Sequence, residues 1–134
     1  MSRHSFSFQH DQPVAQLALL PPDLSPVQPP ECVETLLVDT GFSGHLQLDW
    51  GTFTSLGLLH YVEGTVTSHL GDGSSVTDIL ASVRVRVPDC GIDTVVRCIS
   101  NPAYGKDLLL IGSELLRVCR AIIDYARQVT TLSG

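Results

Sequence analysis

Two runs rich in Val, Thr and Ile, residues 61–70 and 76–87, stand on either side of Gly71-Asp72-Gly73-Ser74. Asp-Gly accepts the positive φ angles of a tight turn, and β-branched side chains suit a pleated surface. The stretch is therefore expected to fold back on itself as a hairpin. Within the second arm Val83-Arg84-Val85-Arg86-Val87 alternates strictly. Successive strand side chains point to opposite faces, so the two arginines share one solvated face.

The flanking sequence supplies further strands. Residues 14–20 read as one, and residues 33–38 as a second that is apolar enough at its end to be buried on both faces. Between them, residues 21–30 hold five of the eight prolines (Pro21, Pro22, Pro26, Pro29, Pro30). Proline lacks the N–H that a helix interior or a central strand needs, so this is an extended connection. Residues 45–48 alternate, with Leu46 and Leu48 on one face. Phe53, Leu56 and Gly57 fit one helical turn ended by a glycine. Residues 93–99 read as a strand, and Asn101-Pro102 opens a loop. Residues 108–111 form a short buried strand ending at Gly112, with Ser113 expected as the N-cap of a helix over 114–119. Residues 121–125 and 128–132 close the chain as two short strands. The expected product is one mostly β domain over residues 1–134, with one or two short helices and a loosely ordered stretch at 1–13.

Composition narrows the function. Hydrophobic residues make up 43% of the 134 and charged ones 16%, enough for a core and too little charge for a disordered chain. Eight Lys and Arg against 14 Asp and Glu give a net charge of −6. That surface repels a phosphate backbone, so nucleic acid is not expected as a partner. The longest apolar runs, such as residues 108–111, fall far short of the roughly 20 residues of a membrane helix, so no membrane association is expected. Residues 1–8 lack the apolar stretch of an export signal, which makes the cytoplasm the expected compartment. Cys32, Cys90, Cys98 and Cys119 form no CxxC, which argues against a zinc knuckle or a thioredoxin-type pair. In that compartment they are expected as free thiols. His4, His10, His45, His60 and His69 show no HxxxH or HxH spacing, so no metal site is expected.

The stretch that carries chemistry is Leu36-Leu37-Val38-Asp39-Thr40-Gly41-Phe42-Ser43-Gly44. An apolar strand delivers an acid straight into a glycine-containing turn, where a half-buried carboxylate suits proton transfer. The bland reading is a turn aspartate after a buried strand, which is common. Other chemistry fits less well. Gly41-Phe42-Ser43-Gly44 lacks one residue of the Gly-x-Ser-x-Gly nucleophile elbow. No Gly-Lys-Ser/Thr follows Gly71-Asp72-Gly73, so it is no phosphate loop. Asp124 precedes nothing like Thr-Gly and reads as a strand-end residue with a structural partner. Trp50 and Tyr61 read as core or pocket wall.

In three places the chain resembles the retropepsin-like aspartic proteases, in particular small bacterial members with one motif per chain. These are the apolar run into Asp39-Thr40-Gly41, the glycine-tipped hairpin Gly71-Asp72-Gly73-Ser74, and Leu109-Leu110-Ile111-Gly112-Ser113-Glu114-Leu115-Leu116. The resemblance covers residues 14–132 and implies a closed β-barrel of the acid-protease fold. It also implies an aspartic endopeptidase hydrolysing peptide bonds, without metal or cofactor. Two carboxylates sharing a proton do that chemistry, because close like charges cannot both ionise. The chain has one such triplet, so the resemblance implies a homodimer with one Asp39 from each copy about a twofold axis. By the same resemblance Asp39 is catalytic and Thr40 locks the two loops together. Gly41 admits substrate backbone, and Phe42 and Ser43 complete the active-site loop, with the Ser43 hydroxyl supporting the Asp39 carboxylate. Leu70, Gly71, Asp72, Gly73 and Ser74 form a flap over an extended peptide, and Ile111 and Gly112 support the loop from below. Phe42 stands where viral members prefer alanine and bacterial relatives have bulky residues, and Ser113-Glu114 stand where the viral members have an arginine that supports their dimer. The competing reading is a non-catalytic module of the same fold that binds a partner strand or serves assembly. A third is a plain β-barrel in which Asp39 is exposed or salt-bridged.

Overall fold

A computed structural model describes residues 2–25 and 27–134. Met1 and Pro26, the latter one of the five prolines of the 21–30 connection, lie outside the described residues. Ten strands and two short α-helices follow one another: β1 (Arg3–Ser7), β2 (Val14–Leu20), β3 (Cys32–Val38), β4 (Leu46–Gln47), α1 (Trp50–Ser55), β5 (Val62–His69), β6 (Ser75–Val87), β7 (Ile92–Ser100), β8 (Leu110–Ile111), α2 (Ser113–Val118), β9 (Arg120–Asp124) and β10 (Val129–Ser133).

Six of these strands close a barrel. β2 pairs antiparallel with β3, β3 parallel with β8, β8 antiparallel with β4, β4 parallel with β7 and β7 antiparallel with β6. The ring shuts where β6 returns to β2, with Leu19 opposite Val85. Alternation fills the inside: Ala81, Val83 and Val85 are fully buried, and Arg84 and Arg86 between them reach Asp93 on β7 from the outer face. Leu17, Leu36, Leu46, Phe53 and Ile111 meet those valines in one cluster. Each large apolar side chain so buried contributes about 1.5–3 kcal/mol.

β5 stands outside the ring and, among the described residues, pairs only with the first half of β6, from Val62 opposite Ala81 to His69 opposite Ser75. Both of its faces are largely exposed, so this hairpin projects from the barrel. A second sheet, in the order β1-β10-β9, packs Leu132 into the core.

Several boundaries differ from the sequence reading for identifiable reasons. Residues 3–7, expected to be loose, form β1, because β10 offers it a full antiparallel register. The strand expected over 108–111 shrinks to Leu110–Ile111, with Lys106–Leu108 in a 3-10 turn. Ser113 is the first helical residue of α2 rather than its cap. Its N–H is committed to the Phe42 carbonyl at 2.8 Å, and Gly112 takes the cap position. Asp49 caps α1 by accepting from the Thr52 N–H at 3.0 Å. Gly57, at φ 69°, turns the chain out of that helix, a geometry open to glycine. All four cysteines are free, and Trp50 and Tyr61 pack against the core. Among the described residues no helix is long and apolar enough to cross a membrane.

Candidate active site

Asp39 leaves the end of β3 with its backbone fixed by the barrel. Its N–H donates to the Ile111 carbonyl at 2.9 Å, continuing the parallel β3–β8 pairing by one residue. The chain then turns, with the Phe42 N–H donating to the Asp39 carbonyl at 3.2 Å. The Gly41 N–H donates to Asp39 Oδ1 at 3.0 Å, so the turn itself orients the carboxylate. Oδ2 has no hydrogen-bond partner among the described residues. Asp39 is half-buried, while Thr40, Gly41 and Ser43 are exposed. Ser43 makes no hydrogen bond to Asp39 among the described residues. The support expected from its hydroxyl comes from the Gly41 amide instead, because the tight turn places that N–H nearest the carboxylate.

Residues 39–44 rest on residues 111–114. Gly112 N–H donates to the His45 carbonyl at 2.8 Å, Ser113 N–H to Phe42 at 2.8 Å and Glu114 N–H to Gly44 at 3.2 Å. A Cβ on Gly112 would lie 2.0 Å from the Gly44 carbonyl oxygen and 2.8 Å from the Phe42 ring, so no side chain fits there. The Phe42 ring folds back over Gly44, where a Cβ would come within 2.7 Å of it. The structure thus brings Asp39, Gly41, Phe42, Ile111 and Gly112 into one unit.

Beside this unit lies an open cleft of about 350 Å³. The loop from Gly41 to Leu46 forms one wall, and Val66, Ser68, Leu80 and Ile99 face it from the projecting hairpin and β7. Its rim carries two side-chain contacts, one of them an ion pair, that the sequence reading missed. His45 Nδ1 lies 3.1 Å from Glu114 Oε2, and Arg97 Nε lies 3.2 Å from Glu63 Oε2 on β5. No local signal announces either pair, since each joins residues brought together only by the barrel.

Leu70, Gly71, Asp72, Gly73 and Ser74 form the exposed tip of the β5–β6 hairpin and stand outside the cleft; Val66 and Ser68, further down β5, line it instead. The tip is locally well made. Leu70 N–H donates to the Ser74 carbonyl at 2.8 Å, Gly73 N–H to Leu70 at 3.1 Å, and Gly73 sits at φ 88°. Asp72 Oδ1 accepts from the Ser74 hydroxyl at 2.6 Å and its amide at 2.9 Å, which holds the Asp72 carboxyl below its usual range. Asp124 ends β9 as a structural residue, accepting from the Arg127 N–H at 2.9 Å.

A closed barrel, an outlying hairpin and an aspartate turn braced by a glycine ahead of a short helix together define the retropepsin-like fold. Among solved structures the chain is similar to EIAV protease complexed with the inhibitor HBY-793. The TM-score is 0.51 at 15% identity, over 81% of this chain and 88% of that one. At that identity the likeness is one of fold. No protein-family model and no curated protein matches the chain.

Proposed function

We propose that the chain is an aspartic endopeptidase that works as a homodimer, with one Asp39 carboxylate from each copy. The observation that carries this reading is the setting of Asp39. Backbone hydrogen bonds hold it from β8 and from its own turn, with Oδ2 left for another partner, beside an open cleft. The likeness in fold to a retroviral protease supports it. The second carboxylate comes from a second copy, because the chain has a single Asp-Thr-Gly.

In this reading the two Asp39 carboxyls share one proton, since like charges that close cannot both ionise. The ionised one takes a proton from water as the water oxygen attacks the peptide carbonyl carbon. The protonated one donates to the carbonyl oxygen. Collapse of the tetrahedral intermediate breaks the C–N bond, with a proton passing to the leaving nitrogen. Thr40, exposed at the head of the turn, binds the opposing loop across the axis. Gly41 lets substrate backbone approach, with only the Asp39 carboxylate, 3.3 Å from a Cβ built there, nearby. Leu70 to Ser74 close over a bound, extended peptide and exclude water. Ile111 and Gly112 hold the loop from beneath.

The test compares wild type with Asp39→Asn for peptide cleavage between about pH 3 and pH 7, with sedimentation of both. Wild type is expected to dimerise and to cleave best in acid. The variant should dimerise and lose about 10²–10⁴-fold in kcat/KM. Cleavage that survives the substitution overturns the mechanism. A dimer that cleaves nothing in a broad peptide library leaves a non-catalytic module of this fold.

A further inference from the structure

The cleft beside Asp39 holds one charge that is answered within the fold and one that is not. Arg97 of β7 reaches the cleft, but its guanidinium is taken, with Nε 3.2 Å from Glu63 Oε2 on β5. Glu114, the second residue of α2, lines the same cleft. Its backbone is pinned to the Asp39 loop, since its N–H donates to the Gly44 carbonyl at 3.2 Å. Its side chain is half exposed, and among the described residues His45 is its one partner, with Nδ1 3.1 Å from Oε2. A guanidinium always carries its charge, whereas an imidazole balances a carboxylate only when protonated. Arg97 and Glu63 therefore cancel, while Glu114 stands as a negative charge whenever His45 is neutral.

Apart from these charges the walls are largely apolar. Leu46, Val66, Leu80 and Ile99 line the cleft, and its volume of about 350 Å³ has room for a long side chain. A lysine or arginine side chain matches this arrangement. Its methylene stem lies along apolar surface while the charged head reaches a polar edge.

We infer that this cleft selects peptides with a lysine or arginine close to the cleaved bond, the stem lying along Leu46, Val66, Leu80 and Ile99 and the cationic head on Glu114. The inference rests on the protease reading and names its substrate class. Glu114 sets specificity and takes no part in breaking the bond. An acidic side chain finds no equal anchor, because Arg97 would have to give up Glu63 to receive it. An apolar side chain of the same length gains the walls and leaves Glu114 to water. The net charge of −6 also favours the approach of a cationic segment. The contact lies at a half-exposed rim, so it is expected to be worth about fivefold in selectivity, the upper range for an exposed pair.

The test uses peptides that differ only in one residue flanking the cleaved bond, lysine, norleucine or glutamate, near neutral pH. Cleavage is read as kcat/KM on the wild type, and binding as Kd on Asp39→Asn. The lysyl peptide should lead the norleucyl one by about fivefold, with the glutamyl peptide last. Glu114→Gln keeps the size and removes the charge, and should bring the ratio of lysyl to norleucyl peptide close to one. Glu114→Arg should put the glutamyl peptide ahead of the lysyl one, with thermal melts checking that both variants fold. Cleavage without a preference for lysine, or a preference that survives Glu114→Gln, overturns this inference and leaves the protease reading standing. Lysyl-selective binding to Asp39→Asn that Glu114→Gln abolishes, where the wild type cleaves nothing, keeps the selectivity of the cleft and retires the protease reading. A protein that neither cleaves nor binds these peptides overturns both.

Discussion

Gly112 and Gly44 are in backbone contact: a Cβ added to Gly112 would stand 2.0 Å from the Gly44 carbonyl oxygen and 2.8 Å from its carbonyl carbon. The contact exists because Gly112 N–H donates to His45 and Glu114 N–H to Gly44, which draws the two segments together until only a residue without a side chain fits.

Gly112→Ala is therefore expected to cost about 3 kcal/mol, at the upper end of overpacking penalties, because backbone must move. Gly44→Ala should cost less, since its Cβ meets only the Phe42 ring, which can swing away. Gly71→Ala, with nothing within 4 Å, should stay within about 0.5 kcal/mol of wild type. Denaturant unfolding of the three variants measures the order. A Gly112→Ala protein as stable as Gly71→Ala would show that the aspartate loop is not clamped from below.

Asp93 gives a pH signature of barrel stability. The Arg84 guanidinium, 2.8 Å from its carboxylate, and that of Arg86, at 3.3 Å, hold the Asp93 carboxyl below the usual carboxylate range. A folded pKa below the unfolded one contributes stability that is fully present above the unfolded value, about 3.9, and is lost as pH falls through the folded one. The site is nearly half exposed, so the pair is worth at most about 1 kcal/mol and weakens with salt. Thermal melts of wild type and Asp93→Asn should differ modestly near neutral pH and converge in strong acid. A gap that persists there would assign the stability to packing instead.

Whatever depends on neighbouring residues was legible in the sequence. The alternation of residues 83–87 puts Arg84 and Arg86 on one outer face, and Gly71 to Ser74 turn the hairpin. The apolar run into Asp39 is β3, and the one into Gly112 ends in β8. Asp39 and Gly112 were nameable because strand-to-turn transitions leave a local imprint. The closure of the ring at Leu19 and Val85 left none, since a pairing between distant strands depends on how the barrel twists. The same holds for His45 with Glu114, and for the position of the hairpin tip, residues 70–74, which does not line the cleft. Ser113 was misread as a cap because its residue type suits that position, while a distant carbonyl, that of Phe42, claims its amide.

At the base of the projecting hairpin, Asp78 of β6 is buried, at 3% exposure, and accepts from Asn101 Nδ2 at 3.0 Å. Burial first, and then the neighbouring Asp78 carboxylate, push the Tyr104 phenol up to about 12. The group's folded pKa exceeds its unfolded value of about 10, so its contribution is complete below pH 10 and lost as pH rises through 12. Ultraviolet titration should show a late tyrosine step near pH 12, and Tyr104→Phe should remove it. Asp78→Ala strips Asn101 of its buried acceptor, costs about 1–3 kcal/mol and brings the late ionisation earlier, with the burial part of the shift remaining. If Asp78 anchors the hairpin over the cleft, the variant should also raise KM for a cleaved peptide more than it lowers kcat. A late step that survives Tyr104→Phe, or that Asp78→Ala leaves unmoved, would remove this anchor from the account.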